Sequence, residues 1–179
     1  MGLMSSAYLP DPSQRMDAQY ARVGVADRRF EISGARSIVE TLAGQVNAHD
    51  VAVRLKAQGF SGCWVLVLGT DDAADVAVGS RIGRMDRIDR MMSVIGSDPV
   101  LWVNTKTLKS SGPYADAEMQ LWNQTLVQAS TKYPMMRIYD WASAAQVGWF
   151  QADGIHYTSA GYAERAHLIA DALAAAFPA

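Results

Sequence analysis

Asp153 and His156 stand three residues apart in Phe150-Gln151-Ala152-Asp153-Gly154-Ile155-His156-Tyr157-Thr158. These residue types at this spacing suit a proton-transfer pair. A carboxylate that accepts a hydrogen bond from one imidazole nitrogen fixes the tautomer and leaves the other nitrogen free as a base. The same two residues equally suit an Asp that caps a turn beside an ordinary surface His. Acyl transfer would need two further parts, a nucleophile and donors aimed at a developing oxyanion. The backbone N–H of Gly34 and a side chain from Gly69-Thr70-Asp71-Asp72 are candidates for the donors. That second stretch also reads as a plain polar connection between a strand and a helix.

The elements that must position these residues follow from periodicity. Thr158-Ser159 is a helix start, and Ala160 to Phe177 reads as one long helix, so His156 falls just ahead of it on a loop. Pro10-Asp11-Pro12 breaks regular structure, and Pro12 to Arg22 suits a helix with Asp11 as its cap. Arg28 to Ile32 is a short strand candidate, while Ile38 to Ala43 stays ambiguous. Asp50 to Gln58 has helical spacing and stops at Gly59. Cys63 to Leu68 is six apolar residues in a row, which reads as a strand buried on both faces. Helices are expected over Ile82 to Ile95 and Tyr114 to Tyr133, and strands over Pro99 to Asn104 and Met135 to Trp141. Strands alternating with helices of this length predict a parallel sheet covered on both faces. Sites in such sheets form at the carboxyl ends of the strands. That rim would carry Gly34, Gly69 to Asp72, Asn104-Thr105, Asp140-Trp141 and the Asp153–His156 loop.

Composition narrows the class. The 179 residues are half apolar and 19% charged, as expected for one globular domain spanning 1–179. A net charge of −2 with scattered basic residues points to neither nucleic acid nor an anionic membrane as partner. The Arg81 to Arg90 segment, interleaved with Asp86 and Asp89, reads as a solvated helix face. Cys63 is the single cysteine, and its apolar surroundings suggest a small core residue. No apolar stretch has the length of a membrane span. Met1 to Ser6 lacks the pattern of a signal peptide, so the default expectation is cytoplasmic, or the cell envelope if the N-terminus is truncated.

In their order along the chain these segments resemble the SGNH hydrolases, the GDSL esterase/lipase family. Ser33-Gly34-Ala35-Arg36-Ser37 looks like that family's second block, which holds an oxyanion Gly. Leu68-Gly69-Thr70-Asp71-Asp72 looks like the third, and Asp153 to Tyr162 like the fourth. Trp102-Val103-Asn104, Trp122-Asn123 and Asp140-Trp141 resemble SGNH domains that accompany bacterial cell-envelope acyltransferases. The resemblance implies an α/β fold, a three-layer α/β/α sandwich with a parallel, flavodoxin-like sheet. It implies a serine ester hydrolase or O-acyltransferase acting on a short acyl (acetyl) ester of a small molecule or glycan, without cofactor or metal. His156 would be the base, Asp153 its orienter, and Gly34 and Asp71 would lie at the oxyanion hole.

Two departures stand out. Asp71 occupies the place of an Asn, and an ionised carboxylate accepts hydrogen bonds where the oxyanion needs a donor. No Gly-Asp-Ser occurs, and the family's spacing would put the nucleophile at or just before Gly2. Met1-Gly2-Leu3-Met4 reads like the tail of that block with its strand lost. Ser5, with Ser6 beside it, is then the candidate nucleophile, provided that Gly2-Leu3-Met4 acts as a stub of the strand. The alternative from another class is an inactive SGNH scaffold that binds a glycan or acyl ligand. A flavodoxin-like nucleotide binder would want a Gly-rich phosphate loop, and none is present.

Overall fold

The computed structural model describes residues 2–178; Met1, which entered the reading of the N-terminal segment, lies outside them. Three apolar runs become strands, β1 (Trp64–Leu66), β2 (Val100–Val103) and β3 (Met136–Tyr139). They pair in parallel in the order β1-β2-β3, with Trp64 opposite Val100 and Val100 opposite Met136. Helices α1 (Met16–Arg22) and α2 (Ala48–Ala57) precede β1, α3 (Thr70–Ala77) and α4 (Arg84–Ile95) run between β1 and β2, and α5 (Asp116–Lys132) runs between β2 and β3. A short α6 (Trp141–Ala144) and the long α7 (Ser159–Ala176) complete the described helices.

Because strand side chains alternate between faces, the sheet feeds two separate cores. Trp64, Leu66, Val100, Trp102 and Met136 pack with α2, α4 and α5. Leu101 and Val103 pack on the opposite side with Met16, Tyr20 and the apolar stripe of α7. The result is the expected three-layer sandwich. Trp102 and Trp122 are fully buried with ring centroids 6.2 Å apart. Truncating either to Ala would cost about 3–5 kcal/mol.

Several sequence expectations shift. The Pro12–Arg22 helix splits into a single turn at Pro12–Gln14 and α1, with the Asp11 carboxylate accepting from the Ser13 N–H. Arg28 to Ile32 forms no strand and pairs with none among the described residues. Helix α3 follows Gly69 directly and was not anticipated: three aspartates and three alanines in Thr70–Ala77 give no clear apolar stripe. Cys63 is exposed and lies outside the core.

The Arg81–Arg90 segment is not simply a solvated face. The Arg87 side chain is fully buried, paired with Glu40 and with Asp72 at 2.9 Å. Its Nε donates to the Ile82 carbonyl at 3.0 Å. Burial drives the Asp72 carboxyl up to about 6, against the pull of the Ile38 amide and Arg87. Burial also works against ionised Glu40, but hydrogen bonds from Arg87 and Ser80 outweigh it and hold this carboxyl at about 2. The cluster has a positional role. Asp72 accepts the Ile38 N–H at 2.9 Å, and the Ser37 hydroxyl donates to Asp75 at 2.5 Å. The segment that contains Gly34 is thereby tied to the helix that contains Asp71.

Candidate active site

The loop between Phe150 and Thr158 is held at several points. The Gln151 N–H donates to the His156 carbonyl (2.8 Å), the Gly154 N–H to Gln151 (2.9 Å) and the Leu108 N–H to Gly154 (2.7 Å). Gly154 sits at φ +70, where an added Cβ would lie 3.3 Å from Leu108, so only glycine fits without strain. Thr158 caps α7 by accepting the Gly161 N–H at 3.1 Å. Tyr157, next to His156, is anchored by the Trp141 indole N–H at 2.8 Å and lies under the Arg165 guanidinium.

On this clamped loop Asp153 and His156 meet. Asp153 Oδ2 lies 2.7 Å from His156 Nδ1, while Oδ1 accepts the backbone N–H groups of Ile155 (2.8 Å) and His156 (2.9 Å). The turn-capping role and the pairing role therefore coexist in one carboxylate. The backbone donors, with the imidazole, hold the Asp153 carboxyl down at about 2. It stays ionised where the imidazole needs a fixed partner. His156 Nε2 makes no hydrogen bond among the described residues, and the ring lines a large cavity of about 1300 Å³.

Gly34, Asp71, Tyr114 and Tyr162 line the same cavity as His156. Gly69 leads into Asp71 at φ +137, and a Cβ there would fall 2.1 Å from the Trp122 indole nitrogen. The sharp turn and the close approach both demand glycine. Burial pushes the Asp71 carboxyl above its ordinary value, while the Tyr114 hydroxyl, donating at 3.1 Å, and the facing His156 pull it down. Tyr114 itself is pushed up to about 12, by burial and then by the Asp71 charge. Nothing in the motif spacing pointed to Tyr114, which lies 43 residues from Asp71 in the chain. Asp72, expected on the rim, turns inward to Arg87. The other rim residues serve as braces: Asn104 donates to Asp140 (2.8 Å) and accepts the Ala142 N–H (2.7 Å).

Ser5 does not join this group. Gly2–Met4 coils into one helical turn, and the Ser5 N–H donates to the Gly2 carbonyl at 3.2 Å. The Ser5 hydroxyl accepts the Ala7 N–H at 3.2 Å, and neither Ser5 nor Ser6 lines the cavity. The expectation that this segment extends as a strand stub therefore fails for a packing reason. Gly2 is pressed so closely on Tyr162 that a Cβ would lie 2.2 Å from its ring. The segment thus packs on α7 instead of running along β1. Among the described residues no cluster of His, Cys, Asp or Glu could hold a metal ion. No described helix is long and apolar enough to cross a membrane.

No family model matches the sequence, and no curated protein matches it. Among solved structures the fold is similar to one described as a putative arylesterase from Agrobacterium tumefaciens str. C58. The TM-score is 0.68 at 19% identity, covering 91% of this chain and 85% of that one. At this identity the likeness establishes the fold, an α/β sandwich of the kind that an esterase also uses.

Proposed function

We propose that the chain is built for SGNH-type ester hydrolysis or acyl transfer on a short acyl ester, with a glycan acetyl ester as the substrate class. The observation that carries this reading is the Asp153–His156 pair. Its Nδ1 is fixed at 2.7 Å and its Nε2 is open to a cavity shared with Gly34 and Asp71. In this scheme His156 Nε2 takes the proton from a serine hydroxyl as it attacks the ester carbonyl. Asp153 keeps the imidazole oriented and stabilises the imidazolium, and the Gly34 N–H donates to the oxyanion. The solved arylesterase-like structure supports the choice of ester chemistry by analogy of fold alone.

The test is turnover of 4-nitrophenyl acetate by the chain and by His156→Ala, Asp153→Asn and Ser5→Ala. Loss of the base should lower the rate about 10²–10⁴-fold. Ser5→Ala separates a serine that swings into place from one that does not take part. Equal rates for His156→Ala and the parent would remove the hydrolase reading.

A second reading has its own support: among the described residues no hydroxyl hydrogen-bonds His156 Nε2, and Asp71 stands in the sequence where the resembled motif has an Asn. These features fit an SGNH scaffold that binds a glycan or acyl ligand without turning it over. A fluorophosphonate probe distinguishes the two, since only an activated serine is labelled.

A further inference from the structure

We propose that the Tyr114 hydroxyl is the second oxyanion donor of this site, in place of the side-chain amide that Asp71 does not provide. The proposal rests on the ester reading of Asp153 and His156 and adds a catalytic residue to it. Three observations lead there. The first is a chemical demand. In that scheme the Gly34 N–H is the one named donor, and an ionised Asp71 can only accept. A site with a carboxylate opposite its donor would repel the charge it must stabilise.

The second observation is position. Tyr114 lines the same cavity as Gly34, Asp71 and His156, and its hydroxyl lies 3.1 Å from Asp71 Oδ1. The loop that carries it is braced. Thr107 Oγ1 donates to the Tyr114 carbonyl at 2.7 Å, and the Leu108 N–H donates to the Gly154 carbonyl at 2.7 Å. The phenol therefore belongs to a loop bonded to the Asp153–His156 loop, and it reaches across to the first turn of α3. Other hydroxyls on the wall are engaged away from Asp71. Ser33 donates to Gln45 at 2.7 Å, and Tyr157 accepts from Trp141 at 2.8 Å.

The third observation is the state of the protons. Burial, then the charges of Asp71 and Asp75, hold the Tyr114 hydroxyl protonated, so it remains a donor at neutral pH. The groups facing Asp71 are Tyr114, from the loop ahead of α5, and His156, from the Asp153–His156 loop. With Asp71 ionised, the single phenol proton is committed to it. With Asp71 protonated, the carboxyl donates to the Tyr114 oxygen and the Tyr114 O–H turns to the ester carbonyl. As the serine oxygen bonds the carbonyl carbon, the C=O pair moves onto oxygen and accepts that O–H. The carbonyl then re-forms, and the leaving alkoxide takes its proton from the His156 imidazolium. No bond to Tyr114 is made or broken. A protonated carboxyl and a phenol acting together on an oxyanion are an attested arrangement in ketosteroid isomerase.

The experiment compares the full chain with Tyr114→Phe, which keeps the ring and loses only the hydroxyl. With 4-nitrophenyl acetate, kcat should fall about 10²-fold while KM stays within about threefold. A purely structural tie to α3 would move the urea midpoint and leave kcat in place. A second arm does not depend on turnover. Methylphosphonate, a tetrahedral anion, is titrated at pH 5 and followed by amide NMR. It should shift the Gly34 N–H saturably, and Tyr114→Phe should bind it at least about tenfold more weakly. A variant kcat within about twofold of the parent overturns the proposal. So does methylphosphonate binding that is equal, or absent, in both proteins. Parent turnover no faster than that of His156→Ala removes the hydrolase reading instead, and the methylphosphonate arm then decides Tyr114 by itself.

Discussion

β1 and β2 arise from nearly indistinguishable sequence, Trp64-Val65-Leu66 and Val100-Leu101-Trp102-Val103, yet they live in different surroundings. β2 is buried at all four positions. In β1 the middle residue is half-buried, and Val67 just beyond it is 36% exposed. β2 has a strand on each side and a helical layer on each face, whereas among the described residues β1 pairs with a strand on one edge only. Apolar character in a run of residues thus reports what a strand can tolerate, not what actually covers it. The covered region supplies rigidity, and the uncovered one leaves room beside His156.

The sharpest way to break this contrast is to attack the covered side. Arg87→Met leaves Asp72 buried without its cation, and should cost about 3–5 kcal/mol. In a chain of this size that lowers Tm by about 10 °C. Differential scanning calorimetry measures it; a shift of a degree or less would mean the cluster is solvated. At the open side the expected effect is on chemistry. If Asp71 stands at the oxyanion position, Asp71→Asn restores a donor and should raise esterase turnover up to about 10²-fold. Because burial raises the Asp71 pKa, its protonated form persists to higher pH than that of an ordinary aspartate. The parent should then lose activity as pH rises through that value, and the Asn variant should not. An unchanged pH profile would make Asp71 a turn residue only.

A smaller effect concerns Glu40, held at about 2 in the fold against about 4.3 in a free chain. A depressed carboxyl contributes stability that is present above the free value and lost as pH falls towards the folded one. Glu40→Gln should therefore flatten the acid side of a urea-midpoint curve between pH 4 and 2. The smallest expected effect is at Cys63. Although Cys63 is exposed as a residue, the surrounding protein desolvates its thiol and pushes it up to about 11, so alkylation should be slow at pH 7 and faster at pH 9, with less than about 0.5 kcal/mol change in stability.

What the sequence revealed divides along local and distant lines. The Asp153–His156 pairing was legible because both partners lie on one short loop, and the glycine at 69 was legible from the turn it must make. The three strands were legible from their apolar runs, to within a residue or two at each end. Helix α3 was not, since Gly69 offers no side-chain cap and its alanines mark no face. The burial of Arg87 was hidden because its partners Glu40 and Asp72 lie 47 and 15 residues away. On the sequence it is one arginine among several. The expected strand stub at Gly2–Met4 was missed for the same reason: the close approach of Gly2 to Tyr162 spans almost the whole chain.

The placement of the tryptophans has an optical consequence. Of the five indoles, only Trp64 lines the cavity, and its Nε1 donates to the Asp98 carboxylate at 3.0 Å. Trp102, Trp122 and Trp141 are sealed in the two cores. Unfolding should therefore red-shift the emission of all of them together, whereas an occupant beside β1 should perturb a single fluorophore. A Trp64→Phe variant would silence that one signal, letting intrinsic fluorescence separate occupancy from folding without any attached dye.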